Sequence, residues 1–174
     1  MKREQNLLRG VLAGMAGGLA AAWVMNAFMA GPGQELQQAV QSDEENRPQQ
    51  APGDQPEEDA TMKAADAVAH AATGEHLSRP QKEAGGPIVH YAFGALTGAL
   101  YGGLAEYSPS VRSGLGTSFG GILFSTADLL AVPILNLGPS PADQPASALA
   151  SPFAAHIVYG VTTELVRRLF RAVI

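Results

Sequence analysis

The sequence predicts an all-α, polytopic membrane protein: a four-transmembrane-helix bundle with a short extra helix in its first external connection. The bulk values of the 174 residues, a net charge of -5 and a mean hydropathy of +0.03, conceal a strong segregation. Nearly all charges lie at the two ends of the chain or within residues 34–83, and long apolar blocks occupy the rest. The blocks lack the alternation of a membrane β-strand, and the first three also lack the polar stripe of a soluble amphipathic helix.

Four apolar blocks define the expected helices, at about 7–30, 87–107, 115–137 and 152–170. A helix needs about 20 mostly apolar residues to cross a bilayer, and the first three blocks satisfy that length. The fourth crosses only if its arginines, from Arg167 onward, extend to the interface. A soluble bundle would need polar outer stripes, and the first block is too long for a signal-peptide core. We therefore expect a single membrane domain over 1–174.

The positive charges that flank these blocks predict the orientation. Lys and Arg near helix ends favour the cytoplasmic side. In this chain they lie before or early in the first helix, in the connection after the second helix, and at the end of the fourth: Lys2, Arg3, Arg9, Arg112, Arg167, Arg168 and Arg171. An even number of crossings puts all of them on one side. Both termini are thus expected in the cytoplasm and the two longer connections outside.

The first external connection, residues 31–86, is acidic and divides into two parts. Up to about residue 58 it is rich in Gln, Glu, Asp and Pro, a composition that favours disorder. Residues 59–73 then read as a short helix, which Gly74 ends. Asp66 and His70 lie four residues apart on this helix and are expected to pair. The acidity of the segment argues against anionic lipid or nucleic acid as its partner.

An internal similarity links the second and fourth blocks. The sequence H-x-x-[FY]-G occurs as His90 to Gly94 and again as His156 to Gly160, each time shortly after a proline. Repeats of this kind occur in transporters built from duplicated helical units. The pattern predicts two helical hairpins in parallel orientation. A match over only five positions of small and aromatic residues can also arise by chance.

The second half of the chain resembles a known family. The segments HYAFGALTGALYGGLAEYSP, GLGTSFGGILFSTADLLAVPILNLGPSP and AAHIVYGVTTELVRRL are similar to the YagU-like inner-membrane proteins, whose biochemical activity is undefined. The matching features are His90, Phe93, Tyr101, Glu106, Pro109, Pro133, Gly138-Pro139, His156, Glu164, Arg167 and Arg168. The long acidic connection departs from the family pattern. The resemblance implies a bacterial inner-membrane location and four helices, but no reaction.

Glycines at four-residue spacing predict how the helices pack. They are Gly10, Gly14 and Gly18 in the first block, Gly94, Gly98 and Gly102 in the second, and Gly116 and Gly120 in the third. Small residues on one helix face let backbones approach closely in lipid. Tight packing within one chain is the first interpretation. A homo-oligomer through a spare glycine face is the second.

Four polar side chains are expected at overlapping depth in the membrane, one from each helix: Asn26, His90, Asp128 and His156. Intramembrane ionisable groups usually face the bundle interior or a wet cavity. Three interpretations remain open: hydrogen bonds that fix helix register, proton- or cation-coupled transport or sensing, and a haem or metal site with histidine ligands. Because no cofactor motif accompanies the histidines, no cofactor or metal is predicted.

The remaining charges near the expected inner face are interfacial. Glu106 and Glu164 are expected to pair with Arg112, Arg167 or Arg168. Nucleotide loops, nucleophile elbows and zinc-protease helices do not occur in the sequence, and there is no cysteine. We therefore expect a small integral inner-membrane protein without catalytic activity, with a structural or sensory role and the lipid bilayer as its main partner.

Overall fold

The computed structural model describes residues 5–41 and 58–174, and these residues are helical without a strand. The α-helices are α1 (Leu7–Ala30), α2 (Pro32–Val40), α3 (Ala60–Thr73), α4 (Arg79–Tyr107), α5 (Thr117–Thr126), α6 (Val132–Ile134) and α7 (Ala150–Val173). A 3-10 segment, Pro109–Gly116, precedes α5, and a π-helical turn, Ala127–Ala131, joins α5 to α6.

Three helical stretches in the described part are long and apolar enough to cross a membrane: Leu7–Ala30, Arg79–Tyr107 and Pro109–Ile134. The fourth expected crossing, α7, is not among them, because its last three turns contain Glu164, Arg167, Arg168 and Arg171. The all-helical class is therefore confirmed, together with three helices of membrane-spanning length and composition.

Helix α1 lies between α4 and α7 and runs antiparallel to both. Gly10 faces Gly102 whereas Gly18 faces Gly94, and Gly17 of α1 lies against Thr163 of α7. Helix α5 packs antiparallel on α7. Helices α4 and α7 are parallel, because Tyr101 contacts Glu164 and Glu106 contacts Arg171 at the same end. The four long stretches thus alternate in direction. We call the end with Glu106 the charged end and the end with His156 the histidine end.

Small residues fill the centre of the bundle and large apolar ones cover its surface. The buried face of α1 consists of Gly10, Ala13, Gly14, Gly17, Gly18, Ala21 and Ala22. By contrast, Trp23 is 65% exposed and Leu96 69%. In water this distribution would be unfavourable, since apolar surface gains free energy by burial. In lipid it is the expected arrangement, because close backbone packing rather than the hydrophobic effect joins the helices.

Helix α4 begins eight residues before the start at about 87 that hydropathy predicts. Ser78 and Gln81 form a capping box, with the Ser78 N–H donating to Gln81 Oε1 at 2.8 Å. Pro80 lies in the first turn, where backbone N–H groups have no partner within the helix. The N–H that proline lacks therefore costs no helical hydrogen bond. The polar composition of residues 79–86 hides this start from a hydropathy criterion, whereas the capping residues indicate it.

The third apolar block is interrupted rather than one helix over 115–137. Its first residues belong to the 3-10 segment, in which Gly114 and Leu115 adopt φ of 60° and 55°. The π-helical turn then precedes Pro133, and the last helical residue is Ile134. Proline lacks the N–H that would continue the helical pattern and so commonly marks such irregularities.

The first connection is more ordered at its start than its composition predicts. Pro32–Val40 form α2, although disorder is expected from Gln34, and residues 42–57 lie outside the described part. Pro32 stands at the N-terminus of α2, which favours a helix. The Gln37 side-chain N–H donates to the Ser147 carbonyl at 3.0 Å, which ties α2 to the connection that precedes α7.

Helix α3 has caps at both ends, and its carboxylate pairing differs from the expected one. Asp59 accepts a hydrogen bond from the Met62 N–H, and Gly74 adopts a left-handed φ of 79°. Asp66 pairs with His76 Nδ1 at 3.0 Å rather than with His70, which instead stacks on the His76 ring. The chain folds back after Gly74, which brings His76 over α3. The Leu77 N–H, bonded to Asp66 at 2.6 Å, contributes most to lowering the pKa of that carboxyl.

Candidate functional site

The four polar residues expected at one depth do not form a single cluster. Asn26 is exposed, and its side chain forms no hydrogen bond to another described residue. His90 lies 3.4 Å from the Ala22 carbonyl through Nε2. Only Asp128 and His156 approach each other, with 3.6 Å between the carboxylate and Nδ1. The structure thus reduces the expected cluster to one carboxylate–imidazole pair at the histidine end.

The surroundings of this pair engage one of the two nitrogens of the imidazole ring. His156 Nδ1 also lies 2.9 Å from the Pro152 carbonyl, and the Phe124 ring packs against the imidazole at 5.6 Å. A neutral ring that donates from Nδ1 has its lone pair on Nε2. The Asp128 side chain is 35% exposed, whereas that of His156 is 9% exposed. The pair therefore combines a buried imidazole with a partly exposed carboxylate.

The described residues contain no group of three His, Cys, Asp or Glu side chains suited to a metal ion. Asp128 and His156 alone supply two ligands, fewer than the four of an ordinary zinc site.

The repeated H-x-x-[FY]-G motif places its glycines in corresponding contacts. Gly94 meets the Gly18 backbone in the first hairpin, and Gly160 meets Gly116 and Gly120 in the second. The aromatic positions differ, because Phe93 is 45% exposed whereas Tyr159 is buried. The Tyr159 hydroxyl donates to the Gly94 carbonyl at 2.7 Å and so joins the hairpin of α1 and α4 to that of α5 and α7.

The charged end contains a buried ion network around Glu164, which is fully buried. Arg167 donates to its carboxylate at 2.7 and 3.0 Å, and Arg168 at 2.7 Å. The Tyr101 hydroxyl of α4 adds a bond at 2.9 Å. Each carboxylate oxygen of Glu164 therefore has at least two donors, which is the condition for burying a charge without a large penalty.

A second carboxylate extends this network across three helices. Glu106 accepts from Arg171 Nε and Nη2, each at 2.8 Å, and from the Asn6 backbone N–H at 3.2 Å. Arg167 lies 3.9 Å from the same carboxylate. The sequence prediction paired Glu106 and Glu164 with Arg112, Arg167 or Arg168, and it missed the role of Arg171. Arg171 follows Arg167 by four residues on the same helix face, a signal that could have identified it.

An open cavity of about 580 Å³ lies beside this network. Its walls come from α4, the 3-10 segment and α7, and its charged lining residues are Glu106, Arg112, Arg167, Arg168 and Arg171. Arg112 makes no ion pair with any described residue. The cavity is therefore dominated by guanidinium groups.

Comparison with known proteins adds a family but no activity. No curated protein and no solved structure matches the chain. A family model described as "Protein of unknown function (DUF1440)" matches residues 45–165. Because that match covers more than half of its 174 residues, the chain belongs to the DUF1440 family.

Proposed function

We propose that this chain is a small integral protein of a bacterial inner membrane, with four crossings, both termini in the cytoplasm and a non-catalytic, structural or sensory role. The observation that carries the proposal is the backbone packing of α1 against α4. A Cβ on Gly14 would collide with the Gly98 carbonyl, and one on Gly18 with the Gly94 carbonyl. Such contact favours a fixed scaffold, because it leaves no space in which the two helices could shift.

The charge pattern of α7 supports the fourth crossing. Residues 150–163 carry no charged side chain. The charges that follow lie at one end, where Glu164 and Arg167 are buried and paired. Pairing reduces the cost of charged groups at membrane depth. The antiparallel packing of α7 on α1 also suits a helix that crosses the same membrane.

The resemblance to the YagU-like proteins supports the inner-membrane location, and the distribution of Lys and Arg supports the orientation. The glycines of the four-residue repeats all pack within the chain, so a homo-oligomer would use other small residues on the surface. Gly121 of α5, for example, has no other residue near the position of its missing side chain.

Labelling of single cysteines tests the number of crossings. The chain has no natural cysteine, so each variant reports one site. With a membrane-impermeant maleimide on intact cells, we expect Glu75→Cys and Ala142→Cys to react. Ser113→Cys and Val173→Cys should react only after permeabilisation, because the proposed topology puts them inside.

Leu96→Cys is the control within the bilayer and should remain unlabelled in both conditions, since Leu96 is 69% exposed on a membrane-facing surface. Reaction of Val173→Cys from outside, with Ser113→Cys still protected, would indicate three crossings and reject the fourth. Such a result would also contradict the contacts at the charged end, because it would place Val173 on the side opposite Ser113 although Arg171 bonds Glu106 at 2.8 Å.

A proton- or cation-coupled transporter or channel is the second candidate function, favoured by the Asp128–His156 pair. The carboxylate lies in a π-helical turn, and such turns are frequent at functional sites. Histidine titrates near neutral pH, and intramembrane Asp and His side chains commonly form proton relays. His90, which the sequence assigns to the same function, contacts the Ala22 carbonyl, and the carboxylate that acts on it electrostatically is Asp59 rather than Asp128.

Flux in liposomes tests this candidate. If the pair carries protons, protein-containing liposomes with an internal pH indicator should dissipate an imposed gradient, and Asp128→Asn should reduce the rate to that of protein-free liposomes. Asp143→Asn removes the same charge from an exposed connection and should leave the rate unchanged. A wild-type rate equal to that of protein-free liposomes rejects the candidate.

A further inference from the structure

The arginine-lined cavity at the charged end has more positive than negative charge. Four arginines line it: Arg112, Arg167, Arg168 and Arg171. Among the described residues, the carboxylates that face these arginines are Glu106 from α4 and Glu164 from α7. Arg171 is held by Glu106, and Arg167 by Glu164. The remaining guanidinium groups give the cavity an excess of positive charge.

Two of the four arginines retain donors that can bind a ligand. The Arg168 side chain is 52% exposed and uses its Nε for Glu164. Arg112 has no carboxylate partner within the described chain, and it belongs to the 3-10 segment rather than to α7. The two side chains therefore reach the cavity from different elements, which is the arrangement needed to hold one ligand between them.

The geometry points to a site for a phosphate-type anion in this cavity, with Arg112 and Arg168 as direct ligands. Guanidinium groups present planar pairs of N–H donors that match phosphate oxygens. The buried Arg167 and Arg171 form the inner wall, and their charges are balanced by Glu164 and Glu106. Both carboxylate oxygens of Glu106 accept hydrogen bonds from Arg171. Glu106 therefore holds the Arg171 side chain in place and does not occupy the position of the anion.

A phosphate group can reach this site from two sources. One is the headgroup of an anionic phospholipid, since basic pockets at the cytoplasmic ends of membrane helices bind such headgroups. The other is phosphate in solution, free or on a small molecule. The anion site itself goes beyond the proposed function, whereas the lipid source also requires the proposed orientation.

Titration of the detergent-solubilised full chain with inorganic phosphate tests the site. We expect saturable binding that weakens with added salt. Arg112→Gln and Arg168→Gln should each weaken it about tenfold or more, because each removes a charge-assisted hydrogen bond. Arg9→Gln is the matched control: it loses the same charge, and Arg9 is exposed on α1 but does not line the cavity.

Nanodiscs that contain phosphatidylglycerol and phosphatidylcholine distinguish the sources. Retention of phosphatidylglycerol by the wild type, lost in Arg112→Gln and kept in Arg9→Gln, supports the site with lipid as its source. Phosphate binding without such retention supports the site with a soluble source. Absence of both from the wild type overturns the proposal, as does an equal loss in Arg9→Gln.

A folding defect is separated from a binding defect by Arg112→Lys. Lysine keeps the charge and loses the planar fork, so binding should fall between those of the wild type and Arg112→Gln. Arg112→Gln should melt at the wild-type temperature, because its native side chain has no ion-pair partner to lose in the described structure. Equal binding by the wild type and Arg112→Gln would also overturn the assignment.

Discussion

Replacing Gly98 with alanine is expected to destabilise the bundle by about 2–3 kcal/mol, the upper part of the range found for overpacked cores. The added Cβ would meet the Gly14 carbonyl and lie 2.7 Å from the Gly18 Cα. Both contacts are with backbone, which cannot rotate away as a side chain does. Helices α1 and α4 must therefore separate. Unfolding in detergent, followed by helical circular dichroism against increasing sodium dodecyl sulfate, measures the loss.

Gly121→Ala is the control for this experiment. It makes the same chemical change inside helix α5, but its Cβ would meet no other residue within 4 Å. Alanine favours a helix over glycine by about 1 kcal/mol, so this variant should be neutral or more stable. If Gly98→Ala were as stable as Gly121→Ala, the close packing of α1 on α4 would be wrong, and with it the main support for a fixed scaffold.

The glycine pattern shows why spacing along a helix was informative. Residues four apart share a face only approximately, since four residues turn an α-helix about 40° beyond a full circle. From Gly10 to Gly18 this drift amounts to about 80°, and the contacts with α4 still follow the spacing. By Asn26 the drift has turned the side chain out of the buried face. Equal depth in the membrane therefore did not imply contact, and Asn26 does not join the Asp128–His156 pair.

Hydropathy could place apolar blocks but not the irregularities within them. The segment from Leu115 to Ile134 is predominantly apolar, and the 3-10 segment, the π-helical turn and the break near Pro133 leave its mean hydropathy unchanged. Conversely, a hydropathy profile cannot distinguish charged residues that pair across helices from the end of a membrane-spanning helix. Arg171 bonds Glu106 of α4, a residue 65 positions away. A contact of that separation depends on the packing of α1, α4 and α7 and so cannot be derived from local pattern.

Glu164→Gln is expected to cost about 3–5 kcal/mol, the range for breaking a buried ion pair from one side. The carboxylate is fully buried, and Arg167, its closest partner, is 4% exposed. Glutamine keeps the shape but removes the charge. Arg167 would then lie buried with only the Glu106 carboxylate, at 3.9 Å, to balance it. The same detergent unfolding assay measures the change.

Arg168→Gln and Tyr101→Phe separate the buried charge from its individual hydrogen bonds. Arg168 is half exposed, so its removal should cost less than about 1 kcal/mol. Loss of the Tyr101 hydroxyl removes one bond to a carboxylate and should cost about 1.5–3 kcal/mol. A Glu164→Gln variant no less stable than Arg168→Gln would mean that water reaches the network in the folded protein. The charges of α7 would then be solvated as at an interface, and their pairing would no longer support a fourth helix across the membrane.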